Sequence, residues 1–259
     1  METTIAALVI HDSRGPVVVL SPHPDDAAVS AWSLLRAPGD VTVVTVFAGV
    51  PPPGTITAWD RVMGVDDSAA LMHTRRAEDV QALARAGRVP VQLDFLDSPY
   101  RRRPMRARAL RNALTSAAPR ASRLAVPAGF GGHRDHVVVR NAGLEVARKA
   151  AIPAIVYADL PYAVQFGWPH WVTGTAPRPY LVPEARWRAD FAGAPVAWDD
   201  LVVDVQRLSG EEVDRKVSAL RVYETQFELL NAGPLDRLHN PEIIGFEVYW
   251  DVSTDRQQR

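Results

Sequence analysis

The first 160 residues of the chain alternate between short apolar segments and longer segments rich in alanine and leucine. The apolar segments are continuous and rich in β-branched residues, as expected of strands buried on both faces of a parallel sheet. They predict strands at 16–20, 41–47, 91–96, 124–126 and 154–157. The segments between them predict helices at 26–35, 72–86, 106–117 and 135–150. This order predicts an α/β fold with a Rossmann-like, mostly parallel sheet and helices on both faces.

The pattern changes after Tyr157, because six prolines and four tryptophans fall within 161–200. Proline interrupts both helices and central strands, so this stretch predicts a Pro- and Trp-rich lid insertion. A helical pattern returns at 210–230, where Ser209 is a suitable N-cap. With no internal repeat or low-complexity tract, we expect a single domain over residues 1–259.

Composition narrows the possible functions. The chain has 259 residues, no cysteine and a formal net charge of -1. Any metal must therefore bind to histidine and carboxylate, and the balanced charge argues against nucleic acid as a partner. No apolar run is long enough to span a bilayer, and the N-terminus lacks the basic start of a signal peptide. We expect a soluble cytoplasmic protein with no membrane partner.

Two polar clusters directly follow predicted strands. Ser21-Pro-His-Pro-Asp-Asp26 follows the first strand, and His133-Arg-Asp-His136 follows the strand at 124–126 after a glycine-rich loop. His23 and Asp26 are three residues apart and can bind one metal, which leaves Asp25 free beside them. A catalytic zinc usually takes three protein ligands, and the second cluster can supply the third. If the two strands are neighbours, both clusters meet at one edge of the sheet.

Simpler readings exist for both clusters. The aspartates of the first cluster can cap the following helix, and Asp135 can do the same for the helix at 135–150. The glycines of 129–132 resemble a dinucleotide-binding loop, but Arg134 occupies the position of its third glycine. We therefore do not expect a nucleotide site.

The two clusters together resemble the LmbE/PIG-L superfamily of zinc-dependent N-deacetylases, which act on N-acetylglucosaminyl conjugates. The family motif A-H-P-D-D-E corresponds to Pro22-His-Pro-Asp-Asp-Ala27, and the motif H-x-D-H corresponds to His133-Arg-Asp-His136. Weaker similarity is present at Arg75-Arg-Ala-Glu78 and in the pattern K-x-x-A-L-x-x-Y-x-x-Q over 216–226. The resemblance extends nearly from end to end.

This resemblance implies a role for each residue of the two motifs. His23, Asp26 and His136 would bind zinc, and Asp25 would be the general base. His133 would be a second catalytic group, oriented by Asp135. The chemistry agrees with these roles, because a carboxylate close to a metal-activated water can accept its proton during attack on an amide.

The chain departs from the family pattern at two places. The final glutamate of the first motif is replaced by Ala27, so its role must be absent or supplied elsewhere. In mycothiol-pathway members a tyrosine precedes the catalytic histidine, whereas here the preceding residues are Phe130, Gly131 and Gly132. Help from a tyrosine of that loop is therefore in doubt.

Candidate substrate residues rest on position alone. Arg75 can hydrogen-bond a sugar hydroxyl or pair with Glu78, and the arginines of 101–106 can hold an anionic aglycone or simply be solvated. Trp168 and Trp171 can stack on a sugar or pack within the insertion. Asp159 and Tyr162 follow a predicted strand, so they are also candidates. Together the predicted substrate contacts are Arg75, Asp159, Tyr162, Trp168 and Trp171.

We therefore expect a zinc-dependent deacetylase of an N-acetyl amino sugar conjugate, in which Fe²⁺ or Co²⁺ is a possible alternative metal. Its partner would be that small molecule. The alternatives are a zinc amidase that acts on a non-sugar amide and a silent protein that binds a sugar conjugate without cleaving it. Retention of Asp25 and His133 favours an enzyme, because binding alone needs no base beside the metal.

Overall fold

A seven-stranded sheet forms the centre of the computed structural model, which describes residues 15–175, 182–233 and 235–252. The N-terminal residues 1–14, for which no signal peptide was predicted, and two prolines of the predicted insertion, Pro177 and Pro179, lie outside the described residues. The strands are β1 Val17–Ser21, β2 Val41–Thr45, β3 Pro90–Gln92, β4 Arg123–Pro127, β5 Ala154–Tyr157, β6 Leu201–Arg207 and β7 Phe246–Val252. The α-helices are α1 Asp26–Ser30, α2 Trp32–Arg36, α3 Ala58–Val62, α4 Ser68–Arg85, α5 Ala107–Ala117, α6 Arg134–Ala150, α7 His170–Thr173, α8 Pro183–Phe191, α9 Gly210–Leu220, α10 Phe227–Asn231 and α11 Pro241–Ile244.

The strand order is β3-β2-β1-β4-β5-β7-β6, and the first five strands in this order are parallel. β1 is central, with Val19 paired to Val43 of β2 and to Ala125 of β4. All five residues of β1 are buried, which explains the continuous apolar run in the sequence. The predicted mostly parallel sheet is confirmed.

The helices cover the sheet on two sides because the chain changes direction. From β1 the chain adds β2 and then β3 towards one edge of the sheet, whereas from β4 it adds β5 towards the opposite edge. Right-handed crossovers then place α1, α2 and α4 on one face and α6 on the other. α5 packs on α6, and α9 packs on α1 and α4. No helix in the described ranges is long and apolar enough to cross a membrane.

Three predicted elements differ in extent. The predicted helix at 26–35 is two short helices separated by Ala31, and the predicted helix at 210–230 ends at Leu220 before resuming as α10. The predicted strand at 91–96 is shortened to β3. The antiparallel strands β6 and β7 were not predicted.

A buried ion pair explains the break at Ala31. Glu247 of β7 accepts hydrogen bonds from the backbone N–H groups of Trp32 and Ser33, at 2.8 and 2.9 Å, and so caps the start of α2. Its charge is balanced by Lys216 of α9, whose Nζ lies 2.7 Å from Oε1, and both side chains are 0% exposed. Lys216 is the first residue of the 216–226 pattern, so that similarity marks a buried structural pair.

The described part of the predicted insertion packs around a cluster of aromatic rings. Trp187 of α8 stacks on Phe130 with ring centroids 4.9 Å apart, and its edge also meets Trp168 and Trp250. Aromatic pairs at these separations stabilise packing beyond the area they bury. Because Phe130 belongs to the loop before His133, this aromatic cluster packs against that loop.

Candidate active site

The two polar clusters meet where the strand order reverses, between β1 and β4. Open α/β sheets bind their ligands at this switch point, beside the carboxyl ends of the strands. His23 follows β1, His136 lies in the first turn of α6 after β4, and Asp159 follows β5. The predicted meeting of the clusters is therefore present in the structure.

The loop after β1 is held in one conformation by its own side chains. Ser21 Oγ donates to the carbonyl of His23 at 2.7 Å and accepts from the N–H of Ala27 at 3.0 Å. Asp25 has a φ of 113°, a backbone region that residues other than glycine rarely adopt. Such strain costs about 1–3 kcal/mol and tends to occur at functional sites.

Asp26 lies between two imidazoles. Its Oδ2 is 3.2 Å from His23 Nδ1 and 3.2 Å from His136 Nε2. Asp159 holds the other nitrogen of His136, with Nδ1 to Oδ1 at 2.8 Å. That contact directs the Nε2 lone pair towards Asp26, and this buried Nε2 has no hydrogen-bond partner among the described residues.

These three side chains fit a divalent metal. Each imidazole has one nitrogen against a carboxylate and the other directed to the common point, the usual arrangement around a zinc ligand. Two imidazole nitrogens and one carboxylate oxygen match the donors of a catalytic zinc site with an open position. Asp26 Oδ2 joins the two imidazoles of this set through contacts of 3.2 Å to each. Among the described residues, all ligand atoms lie within 4.8 Å of one another in two groups, namely His23 with His133 and His136, and His23 with Asp97 and Asp135.

The resemblance implied that Asp135 orients His133. In the structure the carboxylate of Asp135 contacts other groups. Oδ2 of Asp135 lies 3.3 Å from His23 Nε2 and accepts the N–H of Ser98 at 2.8 Å, and Oδ1 receives Arg101. His133 Nδ1 instead accepts the backbone N–H of Asp135 at 3.4 Å, so the histidine is the N-cap of α6. The side chain of Asp135 therefore orients His23.

Asp97 was not predicted as a site residue. Its Oδ1 lies 3.4 Å from His23 Nε2, and its side chain is 13% exposed. It belongs to the irregular segment after β3, where no motif surrounds it. Arg101 forms an ion pair with Asp135. This contact corrects the expectation that Arg101 holds an anionic aglycone or is simply solvated.

The site concentrates ionisable groups that shift one another's pKa values. Burial and the neighbouring carboxylate of Asp26 raise the pKa of Asp25 to about 8, although Arg75 opposes the shift. Burial would also raise the pKa of Asp26, but His136 and His23 outweigh it and hold that pKa well below its usual range. Asp26 and Asp159 raise the pKa of His136 to about 9 against the effect of burial. A bound cation would favour the ionised form of both carboxylates.

His133 faces the same centre. Its ring lies 5.1 Å from that of His23 and 5.0 Å from that of His136, measured between centroids. Burial and these two imidazoles lower the pKa of His133 to about 4. The ring is therefore neutral near pH 7.

The loop that carries His133 is tied to α8. Asp190 accepts the N–H of Gly131 at 2.9 Å, and Arg140 donates to the carbonyls of Ala128 and Asp190 at 2.8 and 3.2 Å. Gly131 has a φ of 74°, and a Cβ there would meet a ring atom of Tyr162 at 2.8 Å. Only glycine fits this close approach, so Gly131 lets Tyr162 pack beside His133.

The predicted substrate residues fall into two groups. Tyr162 and Arg75 line the cleft of the site. Arg75 Nη2 lies 3.5 Å from Asp25 Oδ2 and does not pair with Glu78, whose carboxylate accepts two hydrogen bonds from Thr225. The alternative pairing predicted for Arg75 is therefore corrected.

The other three predicted substrate residues lie outside the cleft lining. Asp159 is 0% exposed and its carboxylate is occupied by His136 and by the N–H of Phe130. Trp168 donates to the carbonyl of Ile243 and is buried, and Trp171 donates to Glu184 on the outer surface. The indole N–H groups of both tryptophans already have protein partners. Of the two predicted roles, the contacts therefore support packing within the insertion and not stacking on a sugar.

Comparisons with known proteins agree with this geometry. The family of GlcNAc-PI de-N-acetylases, PIG-L, matches residues 18–147, which include both clusters. The chain is 31% identical over 172 residues to the 2'-N-acetylparomamine deacetylase of Streptomyces fradiae, an alignment that covers 59% of this chain and 59% of that protein.

Two solved structures cover nearly the whole chain. The A40926 pseudoaglycone deacetylase is 28% identical with a TM-score of 0.67, over 92% of this chain and 96% of that one. A triple mutant of a deacetylase of the teicoplanin biosynthetic pathway is 25% identical with a TM-score of 0.69, over 92% of this chain and 98% of that one.

Proposed function

We propose, because this chain belongs to the PIG-L family of GlcNAc-PI de-N-acetylases, that it is a metal-dependent hydrolase that removes the acetyl group from an N-acetyl amino sugar conjugate. The observation that carries the proposal is the convergence of His23 Nδ1, Asp26 Oδ2 and the unpartnered His136 Nε2 on one point. The similar deacetylases from antibiotic pathways support a role in secondary metabolism.

Zinc is the metal we propose for this centre. His23, Asp26 and His136 would hold it, and the mixture of imidazole and carboxylate donors also suits Fe²⁺ or Co²⁺. When bound, the ion would supply Lewis-acid chemistry, which polarises an amide carbonyl and lowers the pKa of water. Asp135 and Asp159 would keep the two imidazoles in position from behind.

Asp25 is the residue we propose as general base. It is buried beside Asp26, has a strained backbone with a positive φ, and lines the cleft. Its carboxylate is not one of the three proposed metal ligands. During attack on the amide, this carboxylate would accept the proton of the nucleophilic water. Burial raises the pKa of Asp25 to about 8, so Arg75, 3.5 Å away, and a bound cation would together have to favour its ionised form before the reaction.

His133 is the residue we propose to carry a proton to the leaving nitrogen. It lines the same cleft and is neutral near pH 7, so the proton that it passes to the leaving nitrogen would be the one that Asp25 has taken from the nucleophilic water. Its position depends on the glycine loop and on Asp190, which makes this loop part of the catalytic apparatus. Arg75 and Tyr162 are the side chains we propose to meet the sugar.

Acetate release from a panel of N-acetylglucosaminides tests the proposal. The purified protein should release acetate, lose this activity with a chelator and regain it with zinc. Asp25→Asn is the matched negative control, since it alters one atom of the proposed base. Release by the metal-free protein at the full rate would contradict the proposal, and metal binding without release from any glycoside or simple amide would favour a silent binder.

A further inference from the structure

The cleft extends well beyond the proposed catalytic centre. Its volume is about 690 Å³, and the inner end is lined by His23, Asp25, Asp26 and His133. Pockets of about 300–1,000 Å³ bury ligands of drug size, so the cleft has room for more than one amino sugar. The outer half is the part of the cleft lined by Met63, Val65, Leu71, Leu229 and Leu230. The proposed reaction does not specify the group that fills it.

The outer half has an apolar lining formed by two parts of the chain. One wall comes from the connection between α3 and α4 and from the first turn of α4, and the other comes from α10. The apolar residues of these walls are Met63, Val65, Leu71, Leu229 and Leu230. Met63 is 39% exposed, and the preceding Val62, which is not part of the cleft lining, is 75% exposed, so this wall adjoins further exposed apolar surface.

The charged residues of the described lining are already engaged. Asp60 accepts hydrogen bonds from Thr57 N and Oγ1, Ser68 Oγ and Tyr100 Oη, all within 2.9 Å. Asp97 lies against the imidazole of His23, and Arg75, the only arginine or lysine of the described lining, lies beside Asp25 at the catalytic end. No unengaged charge in the described lining therefore faces a ligand in the outer cleft.

We infer that the substrate is an amino sugar conjugate with an apolar, uncharged aglycone, which binds against Met63 and Leu229. This inference rests on the proposed function and narrows its substrate class. An aglycone with several ammonium groups would need free carboxylates, and an anionic aglycone would need free cations, because a buried charge must be paired. An apolar aglycone instead gains by burial against the two walls.

Matched alkyl glycosides test the inference through their relative kcat/KM. The compounds are the methyl, hexyl, 6-aminohexyl and 5-carboxypentyl β-glycosides of N-acetylglucosamine. Each buried methylene contributes about fourfold, so burial of only two of the added methylenes should make the hexyl glycoside exceed the methyl glycoside by about tenfold or more, mainly through KM. The charged analogues should fall below the hexyl glycoside. Equal values for methyl and hexyl, or a preference for either charged chain, would overturn the inference while the deacetylase proposal stands.

A double variant locates the preference. Met63→Gln with Leu229→Asn nearly conserves volume but makes both walls polar, and it should lower the hexyl-to-methyl ratio at least about fivefold. Val89→Thr is the control, because Val89 is an apolar residue 74% exposed and outside the cleft lining. It should retain the wild-type ratio. An unchanged ratio in the folded double variant would contradict the assignment of these walls.

Calorimetry separates this inference from the proposed reaction. Binding of hexyl and methyl β-glucosaminide, the deacetylated products, requires no turnover. Tighter binding of the hexyl compound without acetate release from any glycoside would refute the deacetylase proposal and support the apolar subsite. Equal binding of the two would overturn the subsite whether or not acetate is released.

Discussion

Replacement of Asp25 by asparagine separates the roles of two adjacent carboxylates. Asp26 Oδ2 lies 3.2 Å from both imidazoles of the proposed metal centre, whereas the contact recorded for Asp25 Oδ2 is Arg75 at 3.5 Å. An asparagine at this position would keep the size of the side chain, and it tolerates a positive φ better than most residues. The variant should therefore fold and retain its metal but lack a base.

The expected size of the effect follows from the loss of one proton acceptor. General-base catalysis contributes about 10²–10⁴-fold, which is roughly 3–5.5 kcal/mol of transition-state stabilisation. The loss should appear in kcat, with a much smaller change in KM, because the amide still fits the cleft. Steady-state acetate release with metal analysis of the same samples measures both quantities.

Asp26→Asn is the matched comparison. The substitution removes the carboxylate ligand between the two imidazoles. The variant should therefore lose its metal at free metal concentrations where Asp25→Asn remains loaded. If Asp25→Asn loses the metal and Asp26→Asn keeps it, ligand and base have been exchanged in our assignment. Full activity of metal-loaded Asp25→Asn would refute the mechanism.

Two further predictions concern residues outside the metal centre. Asp190→Ala frees the N–H of Gly131 and should lower kcat by up to about 10²-fold through misplacement of His133, while metal content stays unchanged; an unchanged kcat would exclude this support. Lys216→Met leaves Glu247 as an unpaired buried charge and should cost about 3–5 kcal/mol in the free energy of unfolding, measured by urea denaturation. A loss below about 1 kcal/mol would contradict the role of the pair, and Glu247→Gln in the same chain should recover part of the loss.

Local patterns in the sequence were sufficient for the parallel half of the sheet. β1, β2, β4 and β5 are short, continuous apolar runs, and burial on both faces produces this pattern without help from distant residues. β6 was hidden because it is an edge strand in which Val202 and Val203 are about half exposed. Its partner β7 lies beyond a proline- and tryptophan-rich stretch that interrupts the alternation of strand and helix.

Interactions between distant residues explain the remaining differences. The helix break at Ala31 depends on Glu247, which lies more than two hundred residues away. Spacing predicted that His23 and Asp26 could share a metal with a residue of the second cluster if the two strands were neighbours, and the family resemblance implied that this residue is His136. The partners Asp97 and Arg101 come from an irregular segment after β3, and their approach to His23 and Asp135 depends on the fold as a whole.

The position of the metal tests the central claim most directly. Anomalous diffraction at the zinc edge from crystals of the zinc-loaded protein locates the ion without reference to activity. Our account predicts one site, about 2.0–2.2 Å from His23 Nδ1, Asp26 Oδ2 and His136 Nε2. An ion bound instead by His23, Asp97 and Asp135, a group of described residues whose ligand atoms all lie within 4.8 Å of one another, would contradict it.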